Sequence, residues 1–214
     1  MDILNKSLAG KSSSRIKVLG LGGAGCNTVS RLALLQIPAV ELIAANTDQQ
    51  SLNTNPAHQK ILLGLELTRG LGAGGNPQVG KAAAEESFRE INHAIKGAEL
   101  LFLTAGMGGG TGSGAIQIAA RIARSLNIPT ISIVTIPFSF EAGRRQTNAH
   151  EAIAALQPFT DTLITIPNNR LLELATPATT LEAAFGMSDD VLLKGIQGIS
   201  EMLSAPGLLD VDFS

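Results

Sequence analysis

The residues best suited to chemistry in this chain lie in one glycine-rich segment, residues 106–114, which reads GMGGGTGSG. It follows an apolar run typical of a buried strand (100–105) and precedes a helical pattern (115–126). The N-terminus of a helix presents unpaired backbone N–H groups and the positive end of the helix dipole, and both favour an anion. Glycine has no Cβ to hold the backbone away from a phosphate oxygen, and Thr111 and Ser113 add hydroxyl donors. This segment, called the glycine loop below, therefore predicts a phosphate-binding site.

A second strand–glycine–helix junction lies near the start of the chain. A leucine-rich and β-branched run (15–21) enters GLGGAG (20–25), which satisfies the G-x-G-x-x-G pattern of dinucleotide-binding folds. Asp48 lies 23 residues after Gly25, close to the spacing at which those folds place the acid that binds the ribose. This pattern alone favours an NAD-linked oxidoreductase. It leaves two further glycine-rich segments unexplained, the glycine loop and residues 68–77.

Three other motifs lack residues that their chemistry requires. Residues 75–81 begin like a P-loop, but Ala82 stands where a Ser or Thr must bind magnesium. Gly112-Ser113-Gly114 lacks the outer glycines of a hydrolase nucleophile elbow. The histidines are far apart in sequence and Cys26 is the only cysteine, so we expect no internal disulfide and no metal site made by protein alone. We expect any Mg²⁺ to arrive with the phosphates of a nucleotide.

The elements that must position these segments alternate between strand and helix. Apolar runs predict strands at 15–21, 40–45, 61–63, 100–104, 130–136 and 162–166. The intervening patterns predict helices, including one that starts at Pro77 and has apolar positions at Val79, Ala83, Phe88, Ile91 and Ile95. A capping box of Thr179 and Glu182 predicts the start of a longer helix that stops before residue 206.

This alternation predicts an α/β fold. We expect a Rossmann-like, doubly wound, mostly parallel sheet with helices on both faces, ending in a long central helix. In such sheets ligands bind beyond the carboxyl ends of the strands. The glycine-rich segments and the polar cluster 46–48 follow predicted strands, so we expect them to meet at that edge.

Composition excludes several classes of function. The chain has 214 residues, 44% of them hydrophobic, which is enough for a substantial core. A net charge of −2 without blocks of like charge offers no electrostatic footprint for nucleic acid or an anionic membrane. No apolar run has the length of a membrane span or the pattern of a signal peptide, so we expect a cytoplasmic protein without direct membrane insertion.

Several ordered motifs resemble the tubulin/FtsZ superfamily of GTPases, and within it the prokaryotic FtsZ cell-division proteins. GGGTGSG (108–114) is similar to the signature loop of that superfamily. The segments that narrow the match are GLGGAGCN (20–27), NTDQQSL (46–52), TRGLGAGGNP (68–77), AGMGGGTGSG (105–114), PFSFEAGRR (137–145), IPNNRLL (166–172) and FGMSDDVLLKGIQGIS (185–200). Together they cover most of residues 15–213.

The resemblance implies a guanine-nucleotide site with GTP or GDP as ligand and Mg²⁺ accompanying GTP. It implies that Glu141 and Arg145 contact ribose and phosphate, that Asn168, Phe185 and Asp189 recognise guanine, and that Asp48 and residues 73–75 lie near the terminal phosphate. The nucleotide-binding residues that it implies are Gly22, Gly23, Ala24, Asn27, Asn46, Asp48, Ala73, Gly74, Gly75, Gly108, Gly109, Gly110, Thr111, Gly112, Thr135, Pro137, Glu141, Arg145, Asn168, Phe185 and Asp189.

The resemblance also implies hydrolysis across a subunit interface. The acidic loop after the long helix would act on the nucleotide of the next subunit, which makes Asp212 the catalytic acid in trans, together with Asp210. Asp210 departs from the family, which commonly has Asn at that position. The chain also stops at Ser214, one residue before a further acid is expected.

The expected organisation is a flexible tail (1–14), a GTP-binding domain (15–176), the long central helix (177–205) and a truncated acidic loop (206–214) without the C-terminal domain of full-length members. The resemblance implies head-to-tail self-assembly into the division ring at midcell, and other division proteins as partners through the missing region. We expect this chain alone to bind GDP or GTP but to polymerise and hydrolyse poorly. The alternatives are an NAD-linked oxidoreductase domain and a non-catalytic nucleotide-binding protein that caps filaments.

Overall fold

A computed structural model of the chain describes residues 16–37, 40–141, 143–173 and 180–204. The described strands are β1 (Ile16–Leu21), β2 (Val40–Asn46), β3 (Gln59–Leu62), β4 (Leu100–Gly106), β5 (Thr130–Ile136) and β6 (Thr162–Pro167). The described helices are α1 (Gly22–Leu35), α2 (Gln49–Asn53), α3 (Leu65–Thr68), α4 (Pro77–Glu86), α5 (Phe88–Ile95), α6 (Thr111–Ser125), α7 (Gly143–Leu156), α8 (Asn168–Leu172) and α9 (Leu181–Ser204). None of these helices is long and apolar enough to cross a membrane.

The six described strands form one sheet in the order β3-β2-β1-β4-β5-β6, and every neighbouring pair is parallel. In the central register Leu21 of β1 lies beside Ala45 of β2 and Ala105 of β4, so the carboxyl ends of these strands coincide. The chain builds outward from β1 to β3 and then returns to place β4 on the other side of β1. This reversal creates a crevice between the loops that follow β1 and β4, where doubly wound sheets bind ligands.

Apolar side chains cover both faces of the four central strands, β2, β1, β4 and β5, whereas the edge strand β6 is mostly exposed. One core joins alternate residues of the central strands, such as Leu19 and Leu103, to helices α4, α5, α6 and α7. The other joins the intervening residues, such as Val18 and Phe102, to α1 and α9. This two-sided burial explains why the central strands are nearly continuous apolar runs rather than alternating ones. The doubly wound α/β prediction is confirmed, and the described sheet is entirely parallel.

The prediction of one continuous helix from Pro77 is wrong. The structure divides it into α4 and α5 at Ser87, whose buried hydroxyl accepts the N–H of Gly64 at 3.0 Å. The break also changes which side chains face the core, because Phe88, a predicted core position, is 43% exposed whereas Ile91 is fully buried.

Helix α6 begins at Thr111, earlier than the predicted 115, so part of the glycine loop is helical. A Cβ on Gly114 would lie 2.2 Å from the carbonyl oxygen of Pro77, and a Cβ on Gly80 would lie 2.3 Å from that of Gly110. These glycines are therefore required by the close packing of α4 against α6. Gly114, which was not among the predicted nucleotide-binding residues, therefore has a packing role.

The long helix after residue 180 is confirmed. Helix α9 has 24 residues, about 36 Å at the usual rise, and packs against α1 and β5 through Leu192 and Ile196. The hydroxyl of Thr180 accepts the N–H of Ala183 at its start. The predicted capping residue Thr179, the tail 1–14 and the acidic loop 206–214 lie outside the described residues.

Candidate functional site

A cleft of about 390 Å³ opens at the carboxyl ends of β1, β4 and β5, at the crevice where the strand order reverses. This volume lies within the range of small-molecule sites. Most of its lining comes from backbone rather than from charged side chains. The lining residues are Gly23, Ala24, Asn27, Gly106, Met107, Gly109, Gly110, Thr111, Gly112, Thr135, Pro137, Glu141, Arg145 and Asn168.

The glycine loop forms one wall of the cleft, at the N-terminus of α6. Gly109, Gly110, Thr111 and Gly112 line the cleft together, and a first helical turn has no intrahelical acceptors for its N–H groups. A ligand with phosphate oxygens can accept these hydrogen bonds and also benefits from the helix dipole. The segment predicted to bind a phosphate therefore lines the cleft at the start of a helix.

Gly108 makes the turn into this wall and does not line the cleft. Its φ of +95° is a left-handed conformation, and a Cβ there would lie 2.7 Å from the carbonyl oxygen of Arg145. The N–H of Gly108 donates to Oγ of Ser113 at 2.8 Å, and the Asn148 side chain donates to the carbonyl of Gly108 at 3.3 Å. Ser113 is completely buried, so the expectation that its hydroxyl faces a phosphate is wrong. It holds the loop in shape instead.

The first glycine junction (20–27) forms the adjacent wall. Gly23, Ala24 and Asn27 line the cleft, whereas Gly22 is buried, with φ +69°. A Cβ on Gly22 would lie 2.7 Å from the N of Gly112, so this glycine allows the two loops to approach each other. The close approach of the first junction to the glycine loop therefore explains the second glycine of the G-x-G-x-x-G pattern, Gly22.

The loop 71–75 is fastened to the end of β2. The N–H of Gly72 donates to the carbonyl of Thr47 at 3.0 Å, and Asp48 forms an isolated bridge with Leu71. Gly74 and Gly75 are exposed with φ of +57° and +72°, and Ala73 is buried.

Two polar side chains at the end of β2 are used within the fold. Asp48 caps α2 by accepting the N–H of Ser51 at 3.1 Å, and buried Asn46 accepts the N–H of Thr47 at 2.9 Å. Asn46, Asp48, Ala73, Gly74 and Gly75 therefore neighbour the cleft without lining it.

The segment between β5 and α7 supplies the charged side chains of the cleft. Glu141 accepts the N–H of Phe138 at 2.9 Å and pairs with Arg145 at 2.5 Å. Gln146 donates to the carbonyls of Pro137 and Phe138 at 3.0 and 2.8 Å, which fixes the path of this segment. The Glu141 side chain is 10% exposed and that of Arg145 is 56% exposed, so the carboxylate is held in place while the guanidinium remains accessible.

Asn168 completes the cleft at the end of β6, where it is 4% exposed. Helix α9 contacts α8, which Asn168 begins. It also contacts α1, where Arg31 pairs with Asp190 and donates to the carbonyl of Gly186 at 3.1 Å. The side chains of Phe185 and Asp189 lie outside the described part of α9, as do residues Asp210 and Asp212. The structure thus brings together predicted residues from the first junction, the glycine loop, β5, α7 and α8.

Three residues at the cleft were not among the predicted site residues. Gly106 lines the cleft at the end of β4. Met107 lines the cleft from inside the glycine loop, and nothing in its residue type marked it. Thr47 lies behind the cleft, and its hydroxyl is 2.6 Å from that of Thr111. The sequence contains one indication of Thr47, which is its position between Asn46 and Asp48 at the end of a predicted strand.

The described residues contain no group of His, Cys, Asp and Glu side chains that could hold a metal ion. Cys26 lies beneath the first junction and is buried, which raises the pKa of its thiol to about 12. Its Sγ lies 3.6 Å from the carbonyl oxygen of Ala45. A thiol held neutral in this way is a poor nucleophile, so Cys26 packs the core under the cleft rather than acting in chemistry.

A model of the GTPase domain of the tubulin/FtsZ family matches residues 15–176. Cell division protein FtsZ 1 of Pyrococcus furiosus is 46% identical over 209 residues, which are 98% of this chain and 56% of that protein. The corresponding protein of Thermococcus kodakarensis is also 46% identical, with the same coverage. A solved FtsZ dimer from M. jannaschii superposes with a TM-score of 0.88 at 44% identity, covering 93% of this chain and 58% of that one.

The chain thus spans little more than half the length of these relatives. The matches give no support to an NAD-linked oxidoreductase or to a filament capper. The family match, the parallel sheet order and the glycine loop agree with one another. On this basis the chain belongs to the tubulin/FtsZ family and carries its GTPase domain.

Proposed function

We propose that the chain binds GTP and GDP in the cleft and is the nucleotide-binding part of a cell-division GTPase of the FtsZ type. The observation that carries the proposal is the convergence of Gly109, Gly110, Thr111 and Gly112 on the cleft at the N-terminus of α6. Family membership supports the guanine nucleotide as ligand. The glycine loop would hold the diphosphate through its backbone N–H groups, with Gly23, Ala24 and Asn27 on the adjacent wall.

The remaining contacts follow from the order of residues along the cleft. Arg145 offers an exposed cation to a phosphate, and Glu141 can accept hydrogen bonds from ribose hydroxyls. Thr135, Pro137 and Asn168 continue the cleft toward α9, where we propose that Asp189 accepts from N1–H and N2–H of guanine and Phe185 stacks on the base. Adenine cannot supply that pair of donors, so this arrangement would select guanine.

Asp48 and residues 73–75 neighbour the cleft beside the glycine loop, and we assign them to the terminal phosphate and its Mg²⁺. The donor set fits an ion held mainly by phosphate oxygens and water, because the described residues contain no group of side chains that could hold a metal ion and Asp48 already caps α2. When bound, Mg²⁺ would neutralise charge on the phosphates. The chain's own part is to orient Asp48 and to present the amides of Gly74 and Gly75.

Hydrolysis is proposed to be completed by a second subunit. Asp212, with Asp210, would orient or activate the attacking water on the nucleotide of the next subunit, while the glycine loop stabilises charge on the phosphates. Head-to-tail contacts of this kind generate open filaments. We therefore propose self-assembly at the division site, with other division proteins as further partners. This chain alone is expected to polymerise poorly. It is therefore also expected to hydrolyse GTP poorly, because the acid must come from a neighbouring subunit.

Identification of the nucleotide that copurifies with the chain tests the proposal. The chain contains neither Trp nor Tyr, so a bound base would dominate its near-ultraviolet absorbance. Chromatography of the acid-released ligand should recover GDP or GTP at close to one per chain. Recovery of NAD, or of adenine nucleotides alone, would contradict the proposal.

A further inference from the structure

Thr47 is completely buried at the end of β2, and its hydroxyl oxygen lies 2.6 Å from that of Thr111. Thr111 begins α6 and lines the cleft. Thr47 belongs to the polar cluster after β2 and does not itself line the cleft. The short distance shows that one hydroxyl donates to the other, so the direction of that hydrogen bond decides what Thr111 can offer to a ligand.

The burial of Thr47 determines which of the two hydroxyl groups donates. Within the described part of the chain, the Thr47 hydroxyl forms a hydrogen bond with the hydroxyl of Thr111 and with no other group. Thr47 is completely buried, so water cannot serve as a second partner. If Thr111 donated to Thr47, the proton of the Thr47 hydroxyl would be buried without an acceptor, which is costly. If Thr47 donates instead, its proton is satisfied. The proton of Thr111 can then point into the cleft, where a phosphate oxygen accepts it.

Thr47 also connects the glycine loop to loop 71–75. Its carbonyl accepts the N–H of Gly72 at 3.0 Å, and its own N–H donates to Asn46 at 2.9 Å. The backbone of Thr47 therefore holds the start of loop 71–75 while its side chain holds the first residue of α6. A rigid position for Thr47 keeps Thr111 at a fixed place relative to that loop.

We infer that Thr47 is a positioning residue for the nucleotide: by donating its hydroxyl proton to Thr111, it makes Thr111 a hydrogen-bond donor to a phosphate group. This inference rests on the proposed function. It assigns no contact between Thr47 and the ligand. The residue acts through Thr111 alone, which distinguishes it from a direct phosphate ligand.

The test uses the full chain, freed of nucleotide, and GDP binding measured by calorimetry in buffer without Mg²⁺. Thr47→Val keeps the shape of the side chain and removes the donor, and it should weaken GDP binding by about 3- to 10-fold, the range of one ordinary hydrogen bond. Thr47→Ser restores the hydroxyl and should bind within about 2-fold of the unmodified chain.

A double-mutant cycle separates positioning from a general structural effect. In a Thr111→Val background, Thr47→Val should change GDP affinity by less than about 2-fold, because the group it orients is already gone. An equal loss in both backgrounds, or unchanged affinity in Thr47→Val alone, would overturn the inference. If Thr47→Val does not fold, Thr47→Ala is compared in the same two backgrounds. Failure of the unmodified chain to bind GDP would instead refute the proposed function.

Discussion

The substitution Gly80→Ala tests whether α4 sets the shape of the glycine loop from behind. Gly80 lies inside α4, where alanine normally stabilises a helix by about 0.5–1 kcal/mol relative to glycine. Here the added Cβ would lie 2.3 Å from the carbonyl oxygen of Gly110 and 2.9 Å from the Cα of Thr111. Both contacts are with backbone, so a side-chain rotation cannot relieve them. The glycine loop or α4 must move by about 1 Å to reach ordinary contact.

The expected cost follows from that displacement. Overpacking of this kind costs about 1–3 kcal/mol, which outweighs the helix-propensity gain and predicts a less stable chain. The same movement displaces the amides that line the cleft, so GDP affinity should fall by about 10-fold or more, equivalent to at least about 1.4 kcal/mol. The affinity loss is expected although Gly80 is outside the cleft lining.

Gly198→Ala is the matched control. It is the same substitution within a helix, but no atom of the described residues lies within 4 Å of its added Cβ. It should leave GDP affinity unchanged and raise the free energy of unfolding by up to about 1 kcal/mol. Urea denaturation and GDP calorimetry on both variants give the comparison. A Gly80→Ala chain that is as stable as the unmodified protein and binds GDP equally well would refute the packing argument.

Three further predictions concern the wall and the floor of the cleft. Ser113→Ala leaves the buried N–H of Gly108 without its acceptor, so the free energy of unfolding in urea should fall by about 1–3 kcal/mol, and an unchanged value would contradict the bracing role. Burial raises the pKa of the Cys26 thiol from 9.0 to about 12, so the folded chain holds this proton where the unfolded chain releases it. The stability contributed by the buried neutral thiol is complete below pH 9 and is lost as pH rises from 9 toward 12. Urea midpoints across that range should therefore fall less steeply for Cys26→Ala than for the unmodified chain, and equal slopes would contradict this prediction. Arg145→Met removes an exposed cation from the cleft, so GDP affinity should fall by about 3- to 10-fold at low salt and by less at high salt, and a salt-independent loss would indicate lost packing instead.

Local chemistry was sufficient to predict most of the fold. Runs rich in leucine and β-branched residues placed β1 and β5 to within a residue, because such side chains favour strands. The glycine loop could be placed at the carboxyl end of β4 because a strand, a glycine run and a helix follow one another there. The position of the cleft then followed from the general behaviour of parallel sheets.

What the sequence did not predict depends on contacts between distant segments. The helix breaks at Ser87, whose hydroxyl accepts the N–H of Gly64, and Phe88 directly after the break is exposed. The role of Gly80 depends on how closely α4 crosses α6. The contact between Thr47 and Thr111 joins residues that are 64 positions apart. Helical periodicity and glycine counting carry no information about such pairs.

The most direct measurement of the central claim is calorimetric titration of the nucleotide-free chain with GDP, ADP and NAD under the same conditions. We expect one GDP bound per chain, with ADP and NAD bound at least about 100-fold more weakly, because adenine leaves polar groups of a guanine site unpaired. Binding of NAD or ADP as tight as that of GDP, or no binding of GDP, would contradict it.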